Sequence, residues 1–139
     1  MLQFARRLLH INQVTYLVNH ATGFRRILQL DRMPDAPQAE SAQYGIGESY
    51  YSVASAASAE GQTDAATRAL EQAVQEFRKV ITLYPRGAKV PTALYKEALA
   101  LAELKQTALA QTRLQYLLDH FPQSEEAPLA RERLATLKK

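Results

Sequence analysis

The sequence contains no cysteine and no tryptophan, and it has only five glycines and six prolines among 139 residues. Without cysteine the chain can form no disulfide, offers no thiolate to a metal ion and has no cysteine to which a lipid could be attached. Alanine, leucine, glutamine and arginine recur instead, and these residues favour helices over strands. A chain of this length forms one ordinary domain. The composition therefore predicts a single all-α domain.

Long hydrophobic runs are also missing. The most apolar stretch, residues 8–18, is interrupted by His10, Asn12 and Gln13, and no small-residue cleavage site follows it. No run approaches the roughly 18 apolar residues that a membrane-spanning helix needs. We therefore expect a cytoplasmic protein if the chain is complete as given, or otherwise a mature or excised fragment of a longer protein.

Acidic residues are absent from residues 1–30, and the first carboxylate is that of Asp31. Four arginines lie in this segment, namely Arg6, Arg7, Arg25 and Arg26. The rest of the chain is nearly neutral, so the net charge of +3 originates in the N-terminal part. Such a basic segment could bind an anionic membrane, nucleic acid or an acidic partner. The alternative is that the four arginines solvate the outer faces of two helices.

Three segments of the chain end in the same way. Large apolar residues at helical spacing lead to an aromatic or methionine residue and then to a proline, at Pro34, Pro85 and Pro122. Proline cannot continue a helix and restrains the residue before it, so we expect three helices to end there. A second proline follows six residues later, at Pro91 and Pro128, where it suits the first turn of a new helix. This shared stop and restart predicts a helical repeat.

The periodicity predicts seven helices. They cover residues 2–13, 16–32, 38–58, 63–83, 89–104, 107–120 and 124–138. Tight turns are expected at Gly61 and at Lys105, and Ser124 is well placed to cap the last helix. The small-residue stretch 52–67 lengthens the third and fourth helices. It either extends both helices past their neighbours or forms a flexible lobe.

Small residues at the predicted helix crossings would let two helix axes approach closely. These residues are Ala73, Ala98 and Ala110. The bulky Phe77 and Leu114 follow Ala73 and Ala110 by four residues and would fill the adjoining space. The apolar stripe of the sixth predicted helix consists of Leu109, Leu114, Leu117, Leu118 and Phe121. The last helix has Leu129, Leu134 and Leu137 on one side and charges on the other, as a capping helix should.

Several motifs resemble the tetratricopeptide-repeat superfamily. Residues 43–51 (QYGIGESYY) resemble the signature of the first helix, with Gly47 as its small residue. The pair Ala73 and Phe77, followed by Pro85, resembles the second helix and its terminal proline. The 37 residues from Pro85 to the equivalent proline of the next copy are close to the 34 of this repeat.

Two longer phrases, residues 84–95 and 121–134, resemble a bacterial envelope branch of the superfamily. That branch is typified by CpoB (YbgF) of the Tol–Pal system and by BamD of outer-membrane protein assembly, which would imply a periplasmic location in a cell-envelope complex. BamD-like proteins carry a lipidated cysteine, and CpoB-like proteins carry a signal peptide and a coiled coil. This sequence has none of these, so we expect an excised repeat domain or a member of another branch.

The resemblance implies a right-handed α-solenoid of stacked antiparallel helix hairpins that forms one domain over residues 1–139. Residues 1–38 would form a degenerate first hairpin, and residues 39–85 a repeat with an insertion at 52–67. Residues 86–122 would form a second repeat, and residues 123–139 a capping helix. Such proteins act as scaffolds or adaptors that bind other proteins and are not enzymes.

In these hairpins the first helices line a concave groove that takes a partner peptide or helix. Carried over residue by residue, the resemblance implies a groove lined by Tyr44, Glu48, Tyr51, Tyr95, Lys96 and Leu99. Tyrosine offers a large amphipathic contact area and is enriched at binding hot spots. The alternative is that Tyr44 and Tyr95 pack between repeats. Some proteins with this repeat clamp the terminal carboxylate of a chaperone tail at particular groove positions. The matching positions here include Tyr95 and Leu99, which carry no positive charge, so that activity is not expected.

No catalytic, metal or cofactor site is expected. The three histidines, His10, His20 and His120, are far apart and lack companions at ligand spacing. Gly45 and Gly47 lie inside a predicted helix rather than in a phosphate-binding loop after a strand. The absence of such constellations favours a binding protein over an enzyme.

Two functional hypotheses follow, and a third possibility concerns assembly. The first is a module that holds a protein segment in its groove. The alternative is a basic face, formed by the four N-terminal arginines, that binds an anionic membrane peripherally or, less expected, nucleic acid. Self-association through the N-terminal helices would follow if their apolar residues, Phe4, Leu8, Leu9 and Ile11, have no other cover.

Overall fold

A computed structural model describes residues 37–138 of the chain. Five helices follow one another in this part: α1 (Pro37–Ala59), α2 (Thr63–Leu83), α3 (Val90–Glu103), α4 (Thr107–His120) and α5 (Glu126–Leu137). The described residues contain no strand, which confirms the all-α prediction for them. The predicted count of seven helices is not matched, and the two helices assigned to residues 2–13 and 16–32 lie outside the described residues.

Each helix packs against the next along the chain. Helices α1 and α2 form a first hairpin, α3 and α4 form a second, and α5 packs against both α4 and α3. This is the arrangement of a helical repeat, in which a hairpin buries its apolar stripe only by stacking on its neighbour.

The two hairpins turn in the same way, as predicted at Gly61 and Lys105. Both residues have a positive φ, of 74° and 64°. In the first turn the Gln62 amide donates to the Ala57 carbonyl at 2.9 Å, and in the second the Gln106 amide donates to the Leu101 carbonyl at 2.9 Å. This bond across the left-handed residue closes a Schellman motif.

The connections that follow the two hairpins also match each other. Helix α2 ends before Pro85 and helix α4 before Pro122, and each connection is closed by two backbone bonds. Ser124 does not cap α5 as predicted. The N-cap of α5 is Glu125, without a side-chain bond, and the Ser124 hydroxyl donates instead to the Phe121 carbonyl at 2.8 Å.

Glu40 on α1 takes part in the connection before α3. The backbone amide of Lys89, the N-cap of α3, donates to its carboxylate. A negative charge at a helix N-terminus is favourable because the unpaired amides and the helix dipole attract it. Gly87 leaves room for this approach, since a Cβ atom there would overlap the Glu40 carboxylate. The contact fixes α1 to the start of the second hairpin.

The stretch 52–67 extends both helices of the first hairpin and is not a separate lobe. Helix α1 continues to Ala59 and α2 begins at Thr63, so the stretch is helical except at the tight turn. Helices α1 and α2 have 23 and 21 residues, whereas α3 and α4 have 14 each. The first hairpin therefore projects beyond the second at the turn end.

The core contains the predicted small and bulky residues at the helix crossings. Ala73 and Ala110 are fully buried, and so are Phe77 and Leu114. Gly47 is required beside Phe77, because a Cβ atom on it would lie 2.6 Å from the phenyl ring. Two leucines assigned to apolar stripes are not buried: Leu109 is 37% exposed and Leu129 is 47% exposed, since no other helix of residues 37–138 covers that side of α4 or α5.

A buried carboxylate connects three helices of the stack. The Glu97 Oε1 atom on α3 accepts from Arg78 of α2, at 3.0 Å from Nε and 2.8 Å from Nη2. The Nε atom of Arg113 on α4 lies 3.2 Å from the same oxygen. Burial raises the pKa of Glu97, and the two guanidinium groups oppose that effect. The cluster fixes the positions of α2, α3 and α4 through one side chain that solvent does not reach.

Candidate binding surface

The first helices of the two hairpins, α1 and α3, share a surface built from tyrosines and lysines. The Nζ atom of Lys89 lies 5.2 Å from the centroid of the Tyr44 ring, and that of Lys96 lies 5.8 Å from the centroid of Tyr51. Both distances are within the range of a cation–π interaction. The second pair follows the first by seven residues on each helix, so the two helices run side by side in the same direction.

Helix α5 continues this surface on the far side of α3. The Thr92 hydroxyl donates to Glu126 Oε1 at 2.7 Å. The charge of Glu126 also acts on Tyr44, and that of Arg133 acts on Tyr51. Glu126 and Arg133 are again seven residues apart. We call the whole set the tyrosine–lysine surface; it consists of Tyr44, Tyr51, Lys89, Tyr95, Lys96, Glu126 and Arg133.

The predicted groove residues occupy different depths of this surface. Tyr44 is 8% exposed and packs in a core cluster with Ala73, Phe77, Val80 and Ala93. Tyr51, Tyr95 and Lys96 are half-buried and lie together. Glu48 is exposed beside the Tyr44 hydroxyl, and Leu99 is half-buried one turn beyond Tyr95. Tyr44 therefore packs between the hairpins, whereas Tyr51 and Tyr95 keep part of their surface accessible.

The hydroxyl groups of Tyr44 and Tyr51 on α1 remain protonated over a wide pH range. Burial raises the pKa of Tyr51 to about 12, and the Glu103 carboxylate beside it acts in the same direction. Burial likewise raises the pKa of Tyr44 above its ordinary range, with Glu48 as the next cause. At neutral pH both phenols are hydrogen-bond donors, and each has a carboxylate close by.

Four residues of this region were not predicted from the sequence: Lys89, Glu103, Glu126 and Arg133. Three of them could have been found from the spacing. Lys89 precedes Lys96 by seven residues, and Glu126 and Arg133 follow Lys89 and Lys96 by the 37 residues of the repeat. Residues at those offsets fall on the same face of equivalent helices. Glu103 approaches Tyr51 from the end of α3, which spacing alone does not reveal.

The projecting end of the first hairpin borders an open hollow of about 600 Å³. Its walls are small apolar and hydroxyl side chains of α1 and α2, and Glu103 and Lys105 lie at its other side. The hollow exists because the second hairpin ends two turns earlier. Its lining residues are Ala54, Ser55, Ser58, Ala59, Thr63, Ala66, Thr67, Leu70, Glu103 and Lys105.

Other candidate features of the described part are few. Tyr116 and His120 on α4 stack with ring centroids 3.9 Å apart on an exposed face. Within residues 37–138 no group of three or more histidine, aspartate or glutamate residues could hold a metal ion. None of the described helices is sufficiently long and apolar to cross a membrane. His10, His20, the four N-terminal arginines and the apolar residues Phe4, Leu8, Leu9 and Ile11 lie outside the described residues.

Residues 92–124 match the family model of the tetratricopeptide repeat. The match begins in the first turn of α3 and ends in the connection before α5, so it covers the second hairpin. No curated protein sequence matches the chain significantly. The match supports the tetratricopeptide-repeat superfamily, whose repeats generally mediate protein–protein interactions and are generally not catalytic; the envelope branch typified by CpoB and BamD is not confirmed.

Proposed function

We propose that the protein is a non-catalytic interaction module that binds a segment of a partner protein on the tyrosine–lysine surface. The observation that carries the proposal is the grouping of half-buried Tyr51, Tyr95 and Lys96 on the face shared by α1, α3 and α5. Tyrosine and lysine side chains in such an arrangement offer amphipathic contact area that is already partly ordered. Less conformational entropy is then lost when a partner binds.

We choose this surface over the exposed face of α4 that carries Tyr116 because its residues are better packed. Tyr51 packs against two core clusters, and Lys96 lies over its ring. The exposed Tyr116 on α4 contacts His120 of its own helix. Hot-spot residues are typically anchored by well-packed surroundings, which favours the surface that contains Tyr51.

The test uses the tagged whole chain to capture proteins from a lysate of its source. Cross-linking from the tyrosine–lysine surface identifies the protein that is bound there. The variant Tyr51→Ala/Tyr95→Ala/Lys96→Ala should lose the captured protein, and the matched variant Leu109→Ala/Tyr116→Ala, which removes exposed apolar side chains elsewhere, should retain it. Capture that survives the first variant and is lost with the second would refute the proposal.

Salt distinguishes the alternative, in which the N-terminal arginines bind membrane or nucleic acid. Binding to phosphates weakens steeply as salt is raised, because condensed counterions are released, whereas a tyrosine-lined surface responds less. A role in a bacterial cell-envelope complex and self-association through the N-terminal helices remain proposals that rest on the sequence alone.

A further inference from the structure

Helix α3 presents one face to α2, the helix that precedes it in the stack. On this face Ala93 shares a buried core cluster with Phe77 and Val80 of α2. Glu97 lies one turn further along α3 and pairs with Arg78. We call such a contact between a helix and the second helix of the preceding hairpin a junction. The α2 residues of this junction belong to the motif of large apolar residues before a proline that recurs in the sequence.

Helix α5 forms the same junction with α4, but with an apolar residue in place of the carboxylate. Leu134 follows Glu97 by the 37 residues of the repeat, and it shares a buried core cluster with Leu114 and Leu117 of α4. These two leucines occupy the same places in the motif as the two buried apolar residues of α2. A junction can therefore be built from apolar contacts without an ion pair.

Helix α1 has an equivalent face, and this face is buried. Gly47 of α1 corresponds to Ala98 of α3, since each is the small residue beside the bulky residue of the second helix in its own hairpin. By this correspondence Ile46 takes the place of Glu97. Ile46 is only 4% exposed, yet it belongs to none of the core clusters that residues 37–138 form. No described helix precedes α1, so the cover of this face comes from elsewhere.

The chain itself contains a segment that suits this face. The 36 residues that precede Pro37, which we call the N-terminal segment, lie outside the described residues. Their number is close to the 37 of one repeat, and they contain the motif a third time, as FRRILQL at residues 24–30. Phe24 and Ile27 have the same spacing in it as the two leucines by which α4 contacts α5.

The distance along the chain fits as well. Leu134 follows Leu114 by 20 residues, and Ile46 follows Phe24 by 22. The two additional residues lie in the connection, where Pro34 comes two places later after the motif than the equivalent proline of α4. A segment joined directly to α1 is present at a high effective concentration, which favours it over a separate chain.

We infer that the N-terminal segment covers α1 and forms an apolar junction with it. Phe24 and Ile27 of the segment pack against Ile46, and the burial of these apolar side chains holds the segment in place. Ile46 and the exposed Glu48 are about 200° apart around α1, because successive residues of a helix advance by about 100°. The segment therefore leaves the tyrosine–lysine surface, which Glu48 borders, open to a partner.

Limited trypsin digestion of the whole chain tests this contact, because Arg25 and Arg26 lie within the motif of the segment. Ile46→Ala should be cleaved at these arginines about tenfold faster than the unaltered protein, since a weakened junction opens more often. The matched variant Leu134→Ala weakens the other apolar junction and should change this cleavage by less than about twofold. If Ile46→Ala does not fold, the milder Ile46→Val should raise the cleavage about threefold. Unchanged cleavage in the Ile46 variants, or equal increases with Leu134→Ala, would overturn the inference.

Cross-linking through introduced cysteines identifies what covers α1, because the sequence has no cysteine of its own. Ala42 is half-buried and lies one turn before Ile46 on the same face of α1. A short thiol-reactive linker should join the two cysteines of Ile27→Cys/Ala42→Cys within one chain and should not join those of the matched Ile27→Cys/Glu48→Cys. Linked dimers would assign the face to a second copy, and a link in the Glu48 variant alone would place the segment on the tyrosine–lysine surface. Either result, or the absence of any link, would overturn the inference.

Discussion

The two hairpins of the described chain share their ends and differ in length. Their turns form the same Schellman motif, and the connections after them carry equivalent backbone bonds. Yet α2 is 21 residues long and α4 is 14, a difference of seven residues. Seven residues make nearly two whole helical turns, so the extra length leaves the core-facing sides in register. A repeat can therefore be lengthened without changing how it stacks, provided that the addition respects the helical period.

The largest effect is expected where the two hairpins are most alike, at the crossing of their helices. Ala73 and Ala110 are both fully buried, and each precedes a bulky buried residue by four positions. Replacement of either by leucine should lower the free energy of unfolding by about 3 kcal/mol, because the crossing has no room for a larger side chain. Chemical denaturation measures the change. The control Ala108→Leu, at an exposed position of α4, should change stability by less than about 0.5 kcal/mol, and equal losses in both variants would contradict the argument.

The buried carboxylate of Glu97 joins the two hairpins, since it pairs with Arg78 on α2 of the first hairpin and with Arg113 on α4 of the second. Glu97→Gln should reduce stability by about 2 kcal/mol, because both guanidinium groups lose the charge that they face. The loss is below that of a fully buried pair, since the Arg78 and Arg113 side chains are 33% and 27% exposed. Urea denaturation compares Glu97→Gln with the exposed Glu132→Gln; similar midpoints would show that the cluster is not stabilising.

Most of the fold could be predicted from local signals. Pro85 and Pro122 end helices by themselves and Gly61 readily adopts the left-handed turn, so the five described helices begin and end close to the predicted residues. The exposure of Leu109 could not be predicted in this way, because the hydrophobic period gives a face but not whether another helix covers it. The same limit applies to the long stretch 52–67, where the choice between extended helices and a lobe depended on tertiary packing.

The candidate site was harder to predict than the fold. The resemblance selected Tyr51, Tyr95 and Lys96 together, and the structure brings these three side chains onto one face. The resemblance did not select Arg133; the repeat spacing from Lys96 gives its face on α5, but its approach to Tyr51 depends on how α5 lies against α3. Sequence patterns give the face of a helix, whereas contacts between non-adjacent helices require the stacked structure.

A smaller effect is expected at the glycines of α1. Gly47 packs against Phe77 in the first hairpin, and the residue equivalent to Phe77 in the second hairpin is Leu114. Gly47→Ala should destabilise the protein by about 1 kcal/mol, since the new Cβ atom would overlap the Phe77 ring. Gly45→Ala has nothing within 4 Å and should instead stabilise by up to about 1 kcal/mol through helix propensity. Thermal unfolding measures both changes. Adding Phe77→Leu, which copies Leu114 of the second hairpin, should remove the penalty at Gly47; a penalty that persists would refute the steric explanation.

The two turns allow a matched exchange. Lys105 has a left-handed backbone that is unfavourable for a residue with a side chain, whereas Gly61 adopts it freely. Lys105→Gly should therefore stabilise the second hairpin by about 0.5–1 kcal/mol, and Gly61→Ala should destabilise the first by a similar amount. The same sign for both substitutions in denaturant titrations would show that the turns are not equivalent.

The mildest expected effect concerns alkaline pH and belongs to the first hairpin. Tyr51 has its pKa raised to about 12 in the folded protein from an ordinary value of 10.0. Its contribution to stability is fully present below pH 10 and is lost as the pH rises from 10 to about 12, because the unfolded chain releases the phenolic proton first. Tyr44, whose pKa is also raised by burial, should add to the same loss. Denaturant midpoints measured across this interval should fall less steeply for Tyr51→Phe and least for Tyr44→Phe/Tyr51→Phe. An unchanged slope in the double variant would mean that the alkaline loss arises elsewhere in the chain, and that the phenols of Tyr44 and Tyr51 ionise as readily in the folded protein as in the unfolded chain.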